Sequence, residues 1–161
     1  MKVKKIISFI IYRPLPELIM LNYRLISFFD ESSFLLSRNV ASYFRYRLLR
    51  KYGVEICKGA LLSKSLILRH PVGIVIGGGA VIKERVTIHQ GVTLGAKDFN
   101  ENGNSVFCKQ IINDDVIIGA GAKILGNVEI GKNSVVSANA VVTKNVPENS
   151  IVVGVNKIKS R

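Results

Sequence analysis

The chain has 161 residues, 48% hydrophobic and 21% charged, with a formal net charge of +12. That size and composition suit one folded domain with a substantial core, not a disordered tract or a disulfide scaffold. Its two cysteines, Cys57 and Cys108, stand far apart with no C-x-x-C spacing, which suits a reduced cytoplasm and argues against a thiolate metal site. The apolar run from Ile6 to Tyr12 is closed by Arg13-Pro14. A spanning helix needs about 20 apolar residues, and a secretory signal needs a longer apolar stretch with a small-residue cleavage site, so neither is expected.

The first fifty residues read as helices. Leu18, Leu21, Leu25 and Phe28, then Leu35, Leu36, Val40, Phe44 and Leu48, recur at spacings near three and four. This predicts amphipathic helices over Glu17 to Phe29 and Ser32 to Lys51, the second capped by Asp30 or Ser32 and ended by Gly53. Residues 1–53 hold ten Lys or Arg against Glu17, Asp30 and Glu31. Two placements are open for this basic segment: packing on the rest of the chain or another subunit with a solvated face, or peripheral contact with an anionic membrane at its inner face. No nucleic-acid module is recognisable, and nucleic acid is not an expected partner.

From residue 53 onward the texture changes. Aliphatic residues return at six-residue spacing: Ile56, Leu62, Leu68, then Ile76, Ile82, Ile88, Leu94, and after a gap Ile112, Ile118, Ile124, Ile130, Val136 and Val142. Leaving out Leu94, a small or β-branched residue stands four places after each from Ile76 onward: Ala80, Val86, Val92, Val116, Ala122, Val128, Ser134, Ala140 and Val146. Neither a helix period near 3.6 nor a strand period of 2 produces this, whereas a chain coiling through three short strands per turn does. A β-sandwich would space its strands about 8–12 residues apart. The expected architecture is therefore a mainly β parallel β-helix of hexapeptide repeats over 53–161, preceded by a helical segment at 1–52.

Asn, Asp and Gly mark its bends, as in Asp114-Asp115, Gly126-Asn127 and Lys132-Asn133. The glycines at 77–79, 119 and 121 fall in the same register and are read as turn residues, not as a phosphate loop. A polar excursion over 95–111, with Asp98, Asn100, Asn102, Gly103 and Asn104, interrupts the coil. Such an interruption of an otherwise regular coil is expected to be functional.

Three segments carry a resemblance: His70-Pro-Val-Gly-Ile-Val-Ile-Gly, Val86-Thr-Ile-His-Gln-Gly-Val-Thr-Leu-Gly, and Ile118-Gly-Ala-Gly-Ala-Lys-Ile-Leu-Gly-Asn. Over roughly residues 53–157 the chain resembles left-handed β-helix acyltransferases of the serine acetyltransferase type. In overall shape it also resembles short bacterial polysaccharide O-acetyltransferases of the colanic acid type. The resemblance implies a left-handed coil, a homotrimer and acetyl-CoA bound between neighbouring coils. The left hand runs against the usual crossover rule and is not readable from spacing.

Moving acetyl from a thioester to an alcohol requires a base for the hydroxyl proton, and histidine is the usual one. The chain has only His70 and His89. By resemblance His70 occupies the catalytic position, and Glu55 stands where the family has an aspartate that orients the imidazole. His89 follows Ile88 as Arg69 follows Leu68, so the coil should bring His89 close to Arg69. For the acyl donor, resemblance points to Gly95 and Ala96 before the excursion, to Ala120 and Ala138 where pantetheine passes the backbone, and to Thr143 and Lys144 at the nucleotide end. No metal is expected; a zinc enzyme on this coil needs three histidines.

Arg69 replaces an aspartate that in the family meets the ammonium of serine, and Cys108 and Lys109 replace its Arg-His pair. A guanidinium there repels an ammonium, and the family's large preceding helical domain is missing from this sequence. The expected acceptor is therefore a sugar hydroxyl in surface polysaccharide biosynthesis, met by Arg69, His89 and Lys109. Serine or a related small alcohol is the alternative, and a non-catalytic scaffold the third reading.

Overall fold

The computed structural model describes residues 14–32, 36–98 and 107–154, and the backbone of 157–160. The Ile6–Tyr12 run and the 99–106 part of the excursion lie outside the described residues.

Two helices precede the coil, α1 (Leu15–Glu31) and α2 (Ser37–Tyr52). α1 starts two residues before Glu17. Proline fits a first helical turn, where its missing N–H is not needed, and the Pro14 carbonyl accepts from the Glu17 and Leu18 N–H groups. α2 starts at Ser37, later than expected, and neither Asp30 nor Ser32 caps it with a side chain. Asp30 is instead ion-paired with Arg45 across the two helices. The far end of α2 is as the sequence indicates: Gly53 takes φ 62°, which glycine adopts without a Cβ penalty, and its N–H returns to Leu49 O.

The helices lay Ile19, Met20, Tyr23 and Ile26 of α1 and Ala41, Leu48 and Tyr52 of α2 inward. Tyr23 is the stitch to the coil. Its hydroxyl donates to Ala60 O at 3.0 Å and accepts from the Leu62 N–H at 3.0 Å.

The rest is a left-handed parallel β-helix of about five turns. Its first sheet stacks Val54–Ile56, Ile74–Ile76, Thr93–Gly95, Lys123–Leu125 and Val141–Val142. The second stacks Leu61–Leu62, Val81–Ile82, Gln110–Ile112 and Val128–Ile130. The third runs from Ile67–Leu68 through Thr87–Ile88, Ile117–Ile118 and Val135–Val136 to Ser150–Val153. All these pairings are parallel; Lys157–Ser160 closes the third sheet antiparallel to Ser150–Val153.

The six-residue register is the core. Every aliphatic of the repeat is buried except Leu62, which is partly covered, and the residues four places later are buried with them. Each fully buried Val, Leu or Ile contributes about 1.5–3 kcal/mol relative to exposure, so the column carries most of the driving force. The slot after Leu94 is filled from beyond the excursion by Gln110, which is fully buried. Its Nε2 donates to Gly95 O at 3.1 Å and to Gly126 O at 2.6 Å. The amide thus pins the point where the chain leaves the coil to the turn below it.

Candidate active site

His70 sits where the third sheet turns into the first, and the spacing there is unusual. Leu68 pairs with Ile88 and Ile76 with Leu94, yet Leu68 and Ile76 are eight residues apart where Ile88 and Leu94 are six. Two extra residues are therefore lodged in this one corner. They are accommodated by a tight turn: His70 has φ 49°, and the Val72 N–H donates to His70 O at 2.7 Å. The result is an exposed His70, followed by a buried Pro71.

Below His70 the same corner is repeated by Gln90, Ala120 and Ala138, and beside it by Gly73, Gly91 and Gly121. The backbone ladder runs from the Gly91 N–H to Val72 O, the Gly121 N–H to Gln90 O and the Asn139 N–H to Ala120 O. A Cβ on Gly91 would meet Gly121 Cα at 3.5 Å, and one on Gly121 would meet Asn139 Oδ1 at 2.2 Å. Beyond Gln90 the column offers only methyl groups and backbone, a strip on which a flat, narrow chain can lie. Ala120 is half-buried and Ala138 exposed.

Arg69 and His89 are brought together as expected. The Arg69 N–H bonds Ile88 O at 2.8 Å, which places it directly above His89 in the next coil. Arg69 is exposed and His89 half-buried. Arg69 also lines a groove of about 620 Å³ between α1 and the third sheet, with Met20, Arg24, Lys64 and Leu66.

Glu55 is exposed in the middle of the first strand, next to the Gly53 whose carbonyl receives the Gly73 N–H at 2.8 Å. Its hydrogen bond is not to His70. Cys57 Sγ donates to Glu55 Oε1 at 3.7 Å. Burial first, and then this carboxylate, push the Cys57 thiol above its ordinary pKa, so Cys57 is a poor nucleophile. Cys57 and Cys108 form no disulfide.

The other expected residues lie on a second edge, where the first sheet turns into the second. Gly95 and Ala96 are half-buried at the start of the excursion. Lys109, at its end, is exposed, and its N–H donates to Asn127 Oδ1 at 2.8 Å. Thr143 and Lys144 stand at the same edge in the last coil, half-buried and exposed respectively. Within one chain, then, His70, Arg69, His89, Ala120 and Ala138 share one edge of the prism, and Gly95, Ala96, Lys109, Thr143 and Lys144 share another. Among the described residues no group of three or more His, Cys, Asp or Glu is placed to hold a metal, and no helix is long and apolar enough to cross a membrane.

Comparison with known proteins defines the class. Residues 111–144 match the bacterial transferase hexapeptide family (six repeats). Serine acetyltransferase of Buchnera aphidicola subsp. Acyrthosiphon pisum (strain APS) is 39% identical over 120 residues, covering 73% of this chain and 42% of that protein. Serine acetyltransferase of Staphylococcus aureus (strain Mu50) is 46% identical over 103 residues, covering 64% and 46%. Among solved structures, serine acetyltransferase from Brucella abortus strain S19 in complex with coenzyme A superposes with a TM-score of 0.76 at 33% identity, over 88% of this chain and 54% of that one. Soybean serine acetyltransferase complexed with serine gives 0.75 at 32%, over 88% and 55%. This chain is a hexapeptide-repeat β-helix of the serine acetyltransferase type. It spans less than half the length of these two curated relatives.

These relatives overturn the sugar acceptor expected from sequence, and the resemblance to the colanic acid type is not supported. The expectation leaned on charge repulsion at Arg69. Arg69 is exposed, and solvent and salt weaken repulsion between exposed charges.

Proposed function

We propose that the protein is an acetyl-CoA-dependent O-acetyltransferase whose acceptor is L-serine. The observation that carries this reading is the 46% identity over 103 residues to a serine acetyltransferase. The eight-residue corner that projects His70 supports it.

His70 is the general base. Its imidazole takes the proton of the serine hydroxyl as the oxygen attacks the thioester carbonyl; the C–S bond breaks, and the imidazolium returns the proton to the departing thiolate. Glu55 is the carboxylate that orients His70 once substrates are bound, exchanging its contact with Cys57 for the imidazole. Arg69 receives the serine carboxylate in a paired, charge-assisted hydrogen bond. His89, directly below Arg69, donates to the acceptor.

The donor lies along the methyl-lined strip of Ala120 and Ala138 below His70, where a pantetheine arm meets no bulky side chain. Gly95, Ala96, Thr143 and Lys144 complete the donor site, and Lys109 the acceptor site, from a neighbouring subunit. A homotrimer reconciles the two edges, since the second edge of one protomer then faces the first edge of the next. The excursion starting at Gly95 covers the acceptor in that arrangement.

The test is release of free thiol from acetyl-CoA on addition of L-serine, with O-acetyl-L-serine identified by mass. Serine-dependent thiol release with that product is expected; thiol release independent of serine contradicts the acceptor.

A further inference from the structure

α2 covers one face and leaves another bare. Ala41, Leu48 and Tyr52 are buried, whereas Tyr43, Tyr46 and Leu49 are 61%, 56% and 51% exposed. At 3.6 residues per turn these three form an oblique stripe on the outer face, with Arg50 between the tyrosines, Arg38 at one margin and Arg47 and Lys51 at the other. The helix contains no Asp or Glu. Arg45 is engaged by Asp30, but Arg38, Arg47, Arg50 and Lys51 pair with no carboxylate among the described residues. Arg50 donates to the Tyr46 hydroxyl at 2.7 Å and lies 5.8 Å from its ring centroid.

The stripe does not stand alone. Tyr43 meets Phe44 edge-on with centroids 5.6 Å apart, Phe44 stacks on Phe29 at 6.4 Å, and Phe29 meets Phe28 at 5.3 Å. Phe28, on α1, is 67% exposed. A band of rings thus crosses both helices and emerges at both ends, rimmed by cations that pair with no carboxylate among the described residues.

We infer that this face docks on an anionic lipid surface. Tyrosines with an apolar body and a polar tip suit the headgroup boundary. Guanidinium forks at the margins suit lipid phosphates. A second copy meeting the same face would set these four cations against four, which charge disfavours. A nucleic acid would be met by the cations, but exposed Leu49 and Phe28 contribute nothing to reading a phosphate backbone. This inference is independent of the acceptor and of the chemistry at His70.

The test is co-sedimentation of the full chain with vesicles of phosphatidylcholine alone and of phosphatidylcholine with phosphatidylglycerol. Binding to the anionic vesicles at least tenfold tighter than to the neutral ones, weakening with salt, is expected. The triple variant Tyr43→Ser/Tyr46→Ser/Leu49→Ser and the pair Arg47→Glu/Arg50→Glu should each lose at least tenfold while keeping the wild-type melting temperature. Wild-type binding in both variants, equal binding to neutral vesicles, or no vesicle binding overturns the inference. So does self-association of the wild type that the triple variant loses, or displacement from vesicles by duplex DNA at equal phosphate concentration.

Discussion

Cys57 Sγ hydrogen-bonds Glu55 Oε1 at 3.7 Å, so within one chain the carboxylate proposed to orient His70 is held by a thiol two residues away. Burial and then Glu55 raise the Cys57 pKa. A thiol whose folded pKa is raised stays protonated where the unfolded one ionises, so its contribution is intact below the ordinary thiol value and is lost progressively as pH rises from there through the raised folded value. Near pH 8.5, where an ordinary thiol is about half ionised, Cys57 should alkylate several-fold more slowly than glutathione with iodoacetamide. Glu55→Gln should speed it only in part, because burial is the larger cause. An unchanged rate in that variant would show that the carboxylate does not reach the thiol.

Tyr23→Phe removes both hydrogen bonds that stitch α1 to the first coil and leaves Ala60 O and the Leu62 N–H unpaired beneath the helix. Loss of about 1–3 kcal/mol is expected in urea unfolding. A midpoint equal to wild type would mean water replaces the hydroxyl at no cost.

Gln110→Leu keeps the volume of the buried slot but deprives Gly95 O and Gly126 O of a donor. Destabilisation of about 1–3 kcal/mol is expected, together with faster proteolysis at the excursion, whose base the amide pins. The same variant with wild-type melting and cleavage would remove Gln110 from this role.

Gly79→Ala would place a Cβ 2.1 Å from Cys108 O, where the backbones of successive coils stack. A cost of about 1–3 kcal/mol from overpacking is expected. Gly95→Ala is the control, since its Cβ would meet only the Thr93 methyl, at 3.6 Å. Similar melting temperatures for the two variants would contradict the close stacking of these turns.

The coil was legible because its signal is local and repeated: each inward aliphatic from Ile76 to Val142 needs only its six-residue position. The corner at His70 was legible too, in the eight-residue step from Leu68 to Ile76. The helix starts were not, since Pro14 serves α1 through a carbonyl and Asp30 is claimed by Arg45, a tertiary contact no local pattern displays. Gln110 escaped because a polar residue breaks the hydrophobic rule, although its place two residues before Ile112 marks it as inward. The grouping of Lys109 with Arg69 and His89 could not be judged from residue order, because Lys109 stands at the turn from the first sheet to the second and the other two at the turn from the third to the first. The sugar acceptor failed for a different reason: the sign of one exposed charge was given more weight than solvent allows.

The proposed role of His70 as general base is tested most directly by following thiol release from acetyl-CoA with L-serine for the wild type and His70→Ala, with coenzyme A affinity and melting temperature measured on both. Wild-type turnover should fall by about 10²–10⁴-fold in the variant, the usual contribution of a general base, at unchanged coenzyme A affinity and melting temperature. Turnover by His70→Ala within a few-fold of wild type, or no serine-dependent release by the wild type, would contradict it.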